Sequence, residues 1–123
     1  MTKQALILFA HGARAASWAA PFERLRDLTR TRLPGVRVEL AFLELMEPRL
    51  PEMVAGLVAD AVTQVTVVPV FLGQGGHVLR DLPLMIEELR LAYPDLGFKV
   101  VGAAGEDPAV LDALTNYCVG ALT

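Results

Sequence analysis

Three residues that could do chemistry together stand at even spacing: His11, Glu44 and His77, each 33 residues from the next. The histidines are the only two in the chain, and each has a glycine neighbour, Gly12 and Gly76. Two imidazoles and a carboxylate suit a borderline divalent metal such as Co²⁺, Fe²⁺, Ni²⁺ or Zn²⁺. Imidazole also exchanges protons near neutral pH. Either histidine alone reads best as a strand cap or a core hydrogen-bonder. Both together, each beside a glycine, favour a functional site. Glu47, before Pro48, reads first as a helix-entry residue and is the alternative carboxylate.

Cations follow the same pattern. Arg14, Arg49 and Arg80 each lie a few residues past one of the three positions. Taken singly, each is an ordinary solvated charge. As a set beside a metal site they suggest a substrate carrying several carboxylates, which guanidinium binds in bidentate fashion. Gly73-Gln74-Gly75-Gly76 precedes His77 and has almost no side-chain bulk, so a ligand could approach the backbone at Gly75 and Gly76.

Four strands must position these groups. Strands are predicted near residues 4–10, 36–43, 65–71 and 98–101; the third is short, apolar and β-branched, as strands buried on both faces are, and Ala5-Leu6-Ile7-Leu8-Phe9 makes the first a second buried strand. Between them run apolar stripes at helical spacing. Trp18, Phe22, Leu25 and Leu28 make one, with Ser17 as its candidate N-cap and Pro21 in its first turn. Leu50, Met53, Val54, Leu57 and Val58 make the second. Leu82, Met85, Ile86 and Leu89 make the third, opened by Asp81 and Pro83. Val110, Leu111, Leu114, Tyr117 and Cys118 make the last, capped by Asp107 and started by Pro108.

The alternation predicts a single α/β domain over 1–123, three layers deep, with a four-stranded parallel sheet in the order 2-1-3-4. In such a sheet the carboxyl ends of the strands line one edge, and ligands bind where the crossovers change direction. That edge collects His11, Glu44 and His77.

The bounds agree. One hundred and twenty-three residues make one core. No apolar run reaches a membrane span, the first ten residues do not read as an export signal, and a single cysteine, Cys118, allows no internal disulfide. These features predict a cytoplasmic protein. A net charge of −3 argues against general nucleic-acid binding. The chain has no ATP-binding P-loop, no G-x-G-x-x-G after the first strand and no G-x-S-x-G elbow. Cys118, on an apolar helix face, is expected to be a buried structural thiol.

His-Gly-Ala-Arg after the first strand, FLELMEP after the second and VVPVFLGQGGHVLRDLP around the third resemble the sirohydrochlorin chelatases, over nearly the whole chain. That family inserts cobalt or ferrous iron, and in some relatives nickel, into a modified tetrapyrrole without ATP. This chain resembles its short form. The resemblance implies that His11 and His77 are metal-binding and catalytic, with Glu44 assisting, and that no cofactor is needed beyond the substrate metal. It implies sirohydrochlorin, an octacarboxylate, as the partner of Arg14, Arg49 and Arg80, with Gly75 and Gly76 beside it. Ala13 departs from the family's usual serine. A non-catalytic carrier of metal or tetrapyrrole is the alternative. A phosphate-handling enzyme is a weaker one, because Ala10 stands where that chemistry wants arginine. No nucleic acid or membrane partner is expected.

A homodimer is also expected. One sheet edge offers one wall to a flat macrocycle, and a chain 54% hydrophobic has apolar groups to spare for an interface. Trp18, Phe22, Phe71, Leu79, Met85 and Tyr117 are the candidates.

Overall fold

The computed structural model describes residues 3–123; the side chain of His77 lies outside the described residues. The chain runs β1 (Gln4–Ala10), α1 (Ala20–Arg32), β2 (Arg37–Phe42), α2 (Leu50–Ala59), β3 (Gln64–Pro69), α3 (Gly76–Ala92), β4 (Gly97–Val100) and α4 (Pro108–Gly120). Short 3₁₀ turns at Ala16–Ala19 and Ala104–Glu106 precede α1 and α4. All strand pairs are parallel and the order is β2-β1-β3-β4, as predicted.

Central strand β1 shows why the sheet holds. Its side chains alternate between faces, and both faces are dry. Ala5, Ile7 and Phe9 enter one core cluster, where Leu50, Val54 and Leu57 of α2 and Val78, Leu82, Ile86 and Leu89 of α3 meet them. Leu8 and Ala10 enter a second cluster with Val38, Leu40 and Phe42 of β2, roofed by Ala19 and Phe22. Each fully buried leucine or isoleucine contributes roughly 1.5–3 kcal/mol of transfer free energy. Edge strand β2 carries charges instead. Arg37 binds Asp60 and Glu39, and Arg30 also reaches Glu39 at 2.8 Å. The bond to Asp60, then that to Glu39, raises the Arg37 pKa above its ordinary value against the opposing effect of burial. Charges on an outer strand discourage further strand pairing there.

Four expectations are corrected. Ser17 caps nothing; it lies in the 3₁₀ turn, and α1 starts from Ala19 with no side-chain cap, Pro21 serving its first turn. Only Phe22 of the expected α1 stripe packs inward; Trp18, Leu25 and Leu28 stay exposed, because the helix touches only the β1–β2 half of the sheet. Helix α3 begins at Gly76, five residues before Asp81, and Pro83 sits inside it. A proline there removes one helical donor, but four apolar side chains buried on the core face hold the helix together. His77 is therefore in the first turn of a helix rather than in a loop. Cys118 is exposed, not buried, as is every residue from Leu111 to the end of the chain.

Candidate metal and substrate site

Strands β1 and β2 end in register, Ala10 opposite Phe42. One further bond, from the Leu43 N–H to the Ala10 carbonyl at 2.8 Å, carries the pairing to the lip of the sheet. His11 and Glu44 therefore leave the sheet side by side. The Glu44 chain then reverses at once. The Met46 N–H bonds the Glu44 carbonyl at 2.8 Å, and Leu45 between them takes φ 66°, a left-handed conformation costly for a branched side chain. Gly12 accepts that reversal against itself. A Cβ at position 12 would lie 1.7 Å from the Glu44 carbonyl oxygen and 3.1 Å from the Met46 nitrogen. The glycine beside His11 is thus required by close backbone packing against Glu44.

The side chains meet as their backbones do. His11 Nδ1 lies 3.3 Å from Glu44 Oε1. A carboxylate only accepts, so Nδ1 carries the proton and the neutral ring keeps its lone pair on Nε2. The imidazole lies against the Phe71 ring, centroids 4.6 Å apart and planes inclined by 34°. The Trp18 indole N–H donates to the His11 carbonyl at 2.7 Å. Three neighbours thus fix the backbone, the ring face and the tautomer of one histidine. Although the Glu44 side chain is 39% exposed, its Oε2 is turned inward, buried and without a hydrogen-bond partner among the described residues. An inward anionic oxygen without a donor costs free energy unless a cation or donor comes to it. An imidazole with its Nε2 lone pair unused and a carboxylate are each donors of the type that a divalent metal takes.

The remaining predicted residues fall around this pair. His77 is the second residue of α3, eight residues beyond Pro69 at the end of β3; its side chain lies outside the described residues. Among the described residues, no three His, Cys, Asp or Glu side chains converge on one point. Gly75 caps α3 in an extended conformation and Gly76 opens it, both exposed. Arg14 is exposed, and so is Arg49, the residue preceding α2. Arg80 is exposed in α3, with Nε 3.8 Å from its neighbour Asp81. It is Glu44, not Glu47, that pairs with His11. Glu47 is exposed and lines a separate hollow of about 400 Å³ with Glu23, Arg26 and Met46. Trp18 and Phe71 were not legible as site residues. Each fits an apolar pattern equally well, and only the indole N–H of Trp18 hinted at a second use.

The CbiX family model matches residues 5–119. A sirohydrochlorin cobaltochelatase from Methanopyrus kandleri is 34% identical over 82 residues, covering 67% of this chain and 57% of that protein's own length. Among solved structures, a CbiX protein named for cobalamin (vitamin B12) biosynthesis, from Marinobacter aquaeolei VT8, superposes with a TM-score of 0.86 and 32% identity, covering 97% of both chains. The sirohydrochlorin chelatase SirB from Bacillus subtilis subspecies spizizenii, solved in complex with cobalt, superposes with a TM-score of 0.80 and 25% identity, covering 94% of this chain and 49% of that one. A match running from the start of β1 almost to the end of α4, on the predicted sheet order, places this chain among the CbiX proteins.

Proposed function

We propose that this chain inserts a divalent metal, Co²⁺ or Fe²⁺, into sirohydrochlorin. The observation that carries the reading is the His11–Glu44 pair at the carboxyl edge of the sheet, which leaves the Nε2 lone pair unused. The cobaltochelatase relative and the cobalt-bound SirB fold support it. Metallation replaces two pyrrole N–H protons by one M²⁺ and releases two H⁺. His11 delivers the metal from Nε2 and then takes up a proton there; Glu44 holds the ring and balances the charge. His77, one unit further along the same edge, serves as the second metal-binding and proton-accepting histidine. Arg14, Arg49 and Arg80 hold the substrate carboxylates, and the backbone at Gly75 and Gly76 lets the macrocycle close on the edge. No cofactor beyond the substrate metal takes part; Ni²⁺ fits the same donor set.

The working unit in this proposal is a homodimer, because one edge covers one face of a flat macrocycle. No nucleic acid or membrane is involved, and among the described residues no helix is long and apolar enough to cross a membrane. The proposed compartment is the cytoplasm, supported by a lone cysteine that forms no internal disulfide.

Purified protein mixed with Co²⁺ and sirohydrochlorin, followed by absorbance, tests the reading. The expected result is metallation well above the uncatalysed rate, lost in His11→Ala. A protein that binds both reactants without raising the rate is a carrier, and the proposal fails.

A further inference from the structure

The chain leaves β2 and β3 in the same way. Glu44 stands two residues past Phe42, and Phe71 stands two residues past Pro69. The first pairs with His11 and the second lies against its ring. In each case the next residue is a leucine turned out to water, Leu45 at 54% and Leu72 at 71% exposure. Because β1 runs between β2 and β3, His11 leaves the sheet between the two leucines. The strands that carry them are two spacings apart, roughly 10 Å.

Leu45 holds its place against a backbone cost. Among the described residues, Leu45 and Ala61 are the non-glycine residues with positive φ. Ala61 has an ordinary reason. It follows the Asp60 cap of α2, and the Ala61 and Val62 N–H groups reach back to the Val58 and Leu57 carbonyls, the usual left-handed finish of a helix. No helix ends at Leu45. There the Met46 N–H closes a three-residue turn on the Glu44 carbonyl, in the strained form of that turn, and glycine would take φ 66° freely. Core packing does not ask for leucine either. Leu43 packs against one core cluster and Met46 against the other, while Leu45 belongs to neither. Strain retained beside a site, on an exposed apolar side chain, points to use by a ligand. Leu72 is also held by its backbone alone. Gly105 packs so closely that a Cβ there would run into the Leu72 main chain, and its N–H bonds the Phe71 carbonyl at 2.8 Å.

We propose that Leu45 and Leu72 are the apolar contacts for the flat ring of the tetrapyrrole, set on either side of His11. The inference rests on the tetrapyrrole part of the proposed function and adds which side chains carry the ring itself. The ligand called for is apolar at its centre and anionic at its rim. Exposed cations stand further along the same segments, Arg49 four residues beyond Leu45 and Arg80 eight beyond Leu72. Both leucines act on binding and take no part in the chemistry.

Titration of the metal-free protein with sirohydrochlorin, followed by absorbance, tests it. Leu45→Asn removes the apolar contact but keeps a residue that tolerates positive φ, and Leu72→Asn removes the second contact. Each is expected to raise Kd for sirohydrochlorin about fivefold, the scale for half-burying a leucine. The double variant is expected to raise it about 25-fold, because sites this far apart add. KM should follow Kd with little change in kcat, Co²⁺ affinity by calorimetry should hold, and Leu45→Asn should melt no lower than the wild type. Leu91→Asn, exposed at the far end of α3, should bind as the wild type does. A double variant with the wild-type Kd overturns this inference and leaves the chelatase reading intact. Weaker Co²⁺ binding, or a changed mass in sedimentation equilibrium, would make the leucines part of the metal site or of a subunit contact and also overturns it. A wild type that binds no sirohydrochlorin overturns both. A wild type that binds it without metallation overturns the chelatase reading alone, and the Kd values of the variants still decide the role of the leucines.

Discussion

His11 Nδ1 and Glu44 Oε1 lie 3.3 Å apart although 33 residues separate them in the chain. The pairing sets the tautomer of the imidazole and so decides which nitrogen is left with a lone pair for a metal. Glu44→Gln keeps the shape of the side chain but removes its charge. We expect Co²⁺ affinity, measured by calorimetry, to fall by about 10–100-fold, the usual cost of losing a carboxylate that supports a metal-binding histidine. Unchanged affinity would return the role to Glu47 or to neither.

Removing a histidine should cost more. In His11→Ala and His77→Ala the metallation rate should drop by about 10²–10⁴-fold, the range for losing a positioned proton acceptor. His11 is half-buried, outside both apolar clusters, so His11→Ala should retain its native circular dichroism and melting temperature. Near-normal activity in both variants would end the site assignment.

Gly12 should tolerate no side chain. The nearest obstacles to a Cβ are backbone atoms of Glu44 and Met46, which cannot rotate aside. Gly12→Ala should displace the Glu44 turn and lower both stability and activity, the stability by about 1–3 kcal/mol, as overpacking does. Denaturant unfolding beside the metallation assay checks this; a variant as stable and active as wild type would show that the turn yields.

Trp18 is the only tryptophan, and its N–H holds the His11 carbonyl. Co²⁺ bound at His11 should quench its fluorescence, and His11→Ala should abolish the quenching. Trp18→Phe keeps an aromatic ring against Phe22, 5.6 Å away in the wild type, but loses the donor. At about 1 kcal/mol for the bond, metal affinity should fall roughly fivefold with little change in melting temperature. Equal affinity would reduce the contact to packing.

The three arginines should act on substrate binding. Neutralising Arg14, Arg49 and Arg80 together should raise KM for the tetrapyrrole with a smaller change in kcat. For the wild type KM should rise with salt, because exposed charge contacts are screened. A triple variant with the wild-type KM would make them surface charges.

The strands, their parallel order and the edge shared by His11 and Glu44 were all legible in the sequence. Apolar runs on both sides of β1 and the alternation with helices leave few other ways to bury Ile7, Leu8 and Phe9. Side-chain period and burial are local signals, so a single chain displays them. The start of α3 was misread because Pro83 looks like a helix opening, whereas Val78 and Leu82 were already buried on the core face and carried the helix back to Gly76. Cys118 and the α4 stripe were read as core because periodicity records that a face is apolar, not what covers it. The clamp on His11 belonged wholly to the tertiary structure. Gly12 under Glu44, Phe71 under the imidazole and Trp18 on the carbonyl join residues whose contact depends on how strands end and turns reverse, and no local pattern encodes those distances.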